Sequence, residues 1–220
     1  MMPASYTRIL ALLFGAIGLT IVTPASAQRT FFNQPNTNPL VLNPAFTGTA
    51  GTHRLTASTR IFWPDLEESS AYYTLNYDTR VSFLRGGIGI VSNLVRTFND
   101  QDEYYNGITY AYAIDLGDQS RLMTGAKLGV MHIRRRNVRF ASPDGPLPPV
   151  TLTTTVPDVS AGVVLQSHGF NAGVAINHLN TPNVSVFEGF ESELHMLLSV
   201  HGSYDWNISE DVTLVPFLRF

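Results

Sequence analysis

"ITYAYAIDLGDQSRLMTGAKLGVMHI" (108–133) holds two runs of alternating character around a short polar break. Ile108, Tyr110, Tyr112, Ile114 and Leu116 fall on one side of an extended chain, and Thr109, Ala111, Ala113 and Asp115 on the other. Successive strand side chains point to opposite faces, so this run reads as a strand with one apolar face. After "GDQS" (117–120) the alternation resumes over 121–133, with Lys127 on the polar side. Two such runs around a tight turn make an antiparallel hairpin. The same period of two marks "RLTASTRIFW" (54–63), "AYYTLNYDTRV" (71–81) and "LHMLLSVHGSYDW" (194–206). In the last of these, His195, Ser199, His201 and Asp205 share the polar side. "GIGIVSNLV" (87–95), "DVSAGVVLQ" (158–166), "FNAGVAIN" (170–177) and "VTLVPFLRF" (212–220) are weaker but extended, which brings the expectation to nine strands.

The surroundings of these strands follow from the rest of the chain. Arg8 precedes an apolar stretch, "ILALLFGAIGLTIV" (9–22), and "PASA" ends at Ala27. A basic start, an apolar core and the small residues Ala25, Ser26 and Ala27 describe a secretory signal over 1–27, cleaved before Gln28. No cysteine follows, although an exported protein could use disulfides. Charged residues make up 14% of the chain, well below the roughly 25% usual in soluble proteins. The hydrophobic share is 44%, mean hydropathy is +0.05, and no apolar run of spanning-helix length follows the signal. An exported chain that is poor in charge, moderately apolar and built of strands near the length of a tilted membrane crossing reads as a barrel. Tyr and Trp at the ends of many apolar faces suit an aromatic girdle. A soluble β-sandwich alternates too, but carries shorter strands and more surface charge. The expected fold is therefore all-β, an antiparallel transmembrane β-barrel of outer-membrane type over 54–220, entered through a periplasmic lead-in at 28–53. A net charge of −3, with Lys127 the single lysine, offers nothing to nucleic acid.

The connections sharpen the topology. "PDLEES", "RTFNDQDEYYN", the stretch 134–157 and "HLNTPNVSVFEGFES" alternate with the shorter "LRGG", "GDQS", "SHG" and "NISED". Outer-membrane barrels pair short periplasmic turns with longer external loops, so 54–63 is expected to run outward. Nine is an odd number, whereas bacterial single-chain barrels close on an even count. The count implies that more chain follows, or that the weak run 170–177 is not a strand.

"NPLVLNPAFTGT" (38–49) poses a separate question, because two Asn-Pro turns enclose an aliphatic run. Each residue before a proline is pushed out of the helical region, and Asn side chains hold turns through neighbouring backbone. Leu40, Val41 and Leu42 must then pack against the barrel wall as a plug, or against a partner as a docking element. The segment resembles the PorP/SprF family of type IX secretion outer-membrane proteins, in which an export signal leads to an NPLxxNPA motif, an aromatic and a glycine. Here these are Asn38, Pro39, Leu40, Leu42, Asn43, Pro44, Phe46 and Gly48, followed by Arg60 and Trp63 at the end of the first strand. Phe62 stands where the family often has Gln. "YAYAIDLGDQSRLMTGAKLGV" also resembles the family's Tyr-rich strand, tight turn and Gly-bearing strand. The resemblance implies an outer-membrane component that works with periplasmic subunits of the secretion machinery. It also implies help in exporting or anchoring adhesins or other cargo, and in some bacteria a part in gliding.

Enzymatic readings find little. The chain has no HExxH and no GxSxG, and its six histidines lack metal-ligand spacing, so no cofactor is expected. His195, Ser199, His201 and Asp205 could approach one another on one polar strand face, as in a barrel hydrolase. A polar lumen accounts for them as well. "RRRNVR" (134–139) begins an expected outer loop and suits solvent, or outer-membrane lipid phosphates met through Arg. The glycines at 86, 87, 89, 125, 129, 162 and 173 sit in or beside strands and form no phosphate loop. A passive porin remains the alternative to the secretion role.

Overall fold

The computed structural model describes residues 38–62, 70–97, 100–142 and 145–220; the expected signal and Trp63 lie outside them. A one-turn helix, α1 (Pro39–Leu42), and a 3-10 turn (Pro44–Phe46) precede the strands. These are β1 (His53–Phe62), β2 (Ser70–Val81), β3 (Gly86–Thr97), β4 (Gln101–Gly117), β5 (Ser120–Val138), β6 (Ala141–Ser142) and β7 (Gly145–Pro146). After them come β8 (Val150–Ser167), β9 (Phe170–Asn177), β10 (Leu197–Tyr204), β11 (Trp206–Asn207), β12 (Thr213–Leu214) and β13 (Phe217–Arg219). Nine form one antiparallel sheet in the order β1-β2-β3-β4-β5-β8-β9-β10-β13, curled as half a barrel. β6–β7 and β11–β12 are two small hairpins in the connections.

Strict alternation builds two unlike faces. The convex face carries rows of apolar side chains in register, such as Leu55, Tyr77, Ile90, Ile108, Leu128 and Val159. Leu55, Ile90, Ile108 and Leu128 are each more than half exposed, which in water would be an aggregation hazard and in hydrocarbon is the favourable state. Towards the far end of the sheet from the β4–β5 turn, the apolar rows give way to a mixed row of Leu75, Ser92, Asn106 and Val130, and then to one of Tyr73, Leu94, Tyr104 and His132. The next row holds Arg96, Asp102 and Arg134. From Ile114 to Tyr104 the strand rises roughly 34 Å, or about 24 Å along the normal at a 45° tilt. That matches the apolar band of a membrane barrel, which is about 25 Å tall. The concave face is polar, with Thr74, Asn76, Asp78, Thr109, Lys127, Asp158, Ser160, Asn177, Ser199 and His201 all buried there.

Several expected boundaries move. "RTFNDQDEYYN" is largely strand rather than loop, because β3 and β4 pair from Thr97 and Gln101 onward, leaving 98–100 between them. Arg96 and Asp102, opposite each other, supply an ion pair at 3.2 Å that extends this hairpin. β5 likewise carries "RRRNV" to Val138, so the loop shrinks to 139–149. Long and short connections therefore alternate clearly only for 139–149 and 178–196 against the two-residue turns at 118–119 and 168–169. The weak run 170–177 is a full strand, paired with β8 and β10. The ninth strand keeps three residues, since Thr213 and Leu214 turn away into the β11–β12 hairpin.

Candidate functional site

The concave face is occupied by the chain's own residues 38–49. Pro39 stands in the first helical turn, where a missing N–H costs nothing, and Asn43 closes that turn by donating its backbone N–H to Pro39 O at 2.9 Å. Pro44 forbids the helix from continuing, so Asn43 is extended (φ −153°, ψ 121°) and starts a 3-10 turn. Asn43 Oδ1 accepts from Ala45 N at 2.9 Å, which caps it. Thr47 N and Thr47 Oγ1 both donate to Pro44 O. Gly48 (φ +76°) then redirects the chain towards β1. Two Asn-Pro steps thus fix a compact shape without long regular structure.

The seat for this shape is a row of small residues. Gly87, Ala111, Gly125, Gly162, Ala175 and Ser199 lie side by side across β3, β4, β5, β8, β9 and β10. A Cβ on Gly125 would lie 2.5 Å from Ala45 Cα, and one on Gly87 would lie 2.6 Å from Thr47 O. At Gly162 the space is filled by the Asn43 amide. Here absent side chains let one backbone lie directly on a sheet.

Polar contacts lock the segment across the wall. Asn43 Nδ2 donates to Val163 O and Val174 O, both at 3.1 Å, joining the segment to β8 and β9. On β2, Asp78 accepts from Gly48 N at 2.6 Å and pairs with Arg54 through two bonds of 2.8 and 2.9 Å. Arg54 also donates to Phe46 O at 2.9 Å, so one bidentate pair grips the segment at both a donor and an acceptor. Asn38 Nδ2 donates to Thr74 Oγ1 at 2.9 Å, and Asn76 Nδ2 donates to Asn38 Oδ1. The Asn38 side chain thus bonds the wall rather than its own turn, whereas that of Asn43 does both.

Leu40, 1% exposed, packs with Val91, Tyr105, Met131 and Ile133. Val184, Val186 and Leu194, from the connection between β9 and β10, close over this cluster. Phe46 faces His201 with ring centroids 5.5 Å apart. The structure therefore gathers Asn38, Pro39, Leu40, Leu42, Asn43, Pro44, Phe46 and Gly48 into one seated element. Arg60 lies apart on β1, with its guanidinium 4.2 Å from the Phe62 ring centroid. Sequence reasoning passed over Asp78, Arg54, Asn76 and the three glycines as parts of this seat. Asp78 was visible as a polar-side residue, but its partner segment was not.

The suspected hydrolytic group does not assemble. Ser199 and His201 face inward, but His195 precedes β10, Asp205 follows it, and both are exposed. Among the described residues no cluster of three or more His, Asp or Glu could hold a metal ion.

A sheet with an apolar convex band, an aromatic border and a polar interior filled by its own N-terminal segment defines a membrane barrel wall with a built-in occupant. The family model for the type IX secretion system membrane protein PorP/SprF matches residues 25–220, and the chain belongs to that family. No curated protein and no solved structure matches it.

Proposed function

We propose that this type IX secretion membrane protein lies in the outer membrane and helps export or surface-anchor adhesins or other cargo, without enzymatic activity. In this reading 28–53 begin in the periplasm, and the seated segment connects the periplasmic side of the barrel to its interior. The seating of 38–49 on the small-residue row is the observation that carries the reading. It argues for a filled interior and so against a passive pore. It also gives periplasmic subunits of the machinery a segment to act on, since their contact with residues around it bears directly on the wall.

Replacing Leu40 and Leu42 by Asp separates the two roles of the segment. A plug role is expected to lower the temperature of the heat-modifiable gel shift. A docking role leaves the barrel stable but abolishes co-purification with secretion subunits and cargo export. A double mutant that is stable and fully competent in export overturns both. Large single-channel conductance from the wild-type protein in planar bilayers would favour the porin instead.

A further inference from the structure

The long-loop end of the wall carries a charged group that the secretion role leaves unused. On the convex face, Arg96, Asp102 and Arg134 stand side by side across β3, β4 and β5. Arg96 Nε donates to Asp102 Oδ1 at 3.2 Å, and Arg136 Nη2 lies 3.5 Å from Asp102 Oδ2. Asp102 is almost wholly covered, while about half of the Arg96 side chain and over a third of Arg136 are exposed (51% and 37%). The neighbouring carboxylate, Asp100, accepts from Asn137 Nδ2 at 2.7 Å. Two guanidinium groups thus converge on one buried carboxylate, which orients them, and Arg134 stands beside it in the same row, so positive charge faces outward.

Depth gives this group its meaning. One row below lie Leu94, Tyr104 and His132, then a mixed row of Ser92, Asn106 and Val130, and below it the exposed apolar side chains Ile90, Ile108 and Leu128. An aromatic row above an apolar band marks the height of lipid headgroups. Guanidinium forks at that height match phosphate oxygens bidentately, and acyl chains below would cover the apolar rows.

We propose that Arg96, Arg134 and Arg136 form a binding site for the phosphate of a membrane lipid headgroup, on the outside of the wall at the end remote from the tight turns. This rests on the barrel reading, which places the convex face in lipid. Asp102 holds the Arg96 and Arg136 guanidinium groups in position, Arg134 adds its charge beside them, and the lipid's tails run down over Leu128 and Val130.

The test uses the full chain returned to dioleoylphosphatidylcholine vesicles that contain dioleoylphosphatidic acid, followed by native mass spectrometry of the lipid retained in mild detergent. Wild-type protein is expected to retain phosphatidic acid over phosphatidylcholine by about tenfold or more, the effect of roughly one net charge-assisted hydrogen bond. Arg134→Gln should reduce the enrichment. The joint variant Arg96→Gln, Asp102→Asn, Arg134→Gln, Arg136→Gln, which leaves no orphaned carboxylate, should insert normally and abolish it. Excess inorganic phosphate should not displace the lipid. Insertion without enrichment, or enrichment unchanged in the joint variant, overturns the site. Full displacement by inorganic phosphate overturns the lipid as occupant. Failure of the wild-type chain to insert at all overturns the barrel reading itself.

Discussion

Replacing Gly125 by Ala tests whether the N-terminal segment is seated as described. The added methyl would lie 2.5 Å from both Ala45 Cα and the Pro44 carbonyl carbon, against ordinary contact at roughly 3.5–4.0 Å. About 1 Å must therefore be found. β5 is held in register along most of its length by β4 and β8, so the segment rises instead. Asn43 Nδ2, at 3.1 Å from Val163 O and Val174 O, then passes beyond the usual limit of about 3.2 Å. Two buried hydrogen bonds at about 1 kcal/mol each, with some loss of packing around the buried Leu42, put the cost at roughly 2–4 kcal/mol. Relief of a glycine in a strand returns about 0.5 kcal/mol. The assay is urea unfolding of the membrane-inserted protein, read by heat-modifiable gel mobility. In an Asn43→Ala background the same substitution should cost less than half as much, because the bonds it breaks are already gone. Gly125→Ala with stability within about 0.5 kcal/mol of wild type, or an equal cost in both backgrounds, would refute the reasoning.

Neighbouring residues on opposite faces give a second comparison in the same assay. Leu128→Arg, on the exposed apolar face, should cost about 2–4 kcal/mol, as charge does near the middle of a bilayer. Lys127→Met should stay within about 1 kcal/mol of wild type or improve on it, because the buried Lys127 Nζ reaches Asn177 Oδ1 only at 3.4 Å. For sidedness, Leu147→Cys should react with an impermeant maleimide on intact cells and Asp118→Cys should not; the reverse pattern would sink the proposed orientation.

How much of this was written plainly in the sequence depends on which contacts each residue makes. The strands were legible because their signal is local: Ile108, Tyr110 and Ile114 alternate with Thr109 and Ala111 whatever lies elsewhere. Loop lengths were misjudged at 96–106, because polar composition suggested a loop where an Arg96–Asp102 pair prolongs a hairpin. The segment 38–49 announced itself through its prolines, and its apolar core correctly suggested that it must pack against something. What it packs against could not be read. The row Gly87, Ala111, Gly125, Gly162, Ala175 exists only once the register of the strands is fixed, and no stretch of sequence contains it. His195 and Asp205 were grouped with Ser199 and His201 by periodicity alone, and the strand proved shorter than the pattern.

The small-residue row also constrains the order in which the molecule can be made. Asn43 emerges early, yet its acceptors Val163 O and Val174 O follow it by 120 and 131 residues. Closing loops of that size brings a large entropic cost before any contact repays it, so such contacts form late. Until β9 has paired with β8, the anchor point for Asn43 does not exist. Until then the segment has its contacts with β1–β5, including the Leu40 pocket of Val91, Tyr105, Met131 and Ile133, but not its cross-wall bonds. Its full docking thus reports on the wall: only one assembled in register through β9 can hold the segment at both ends.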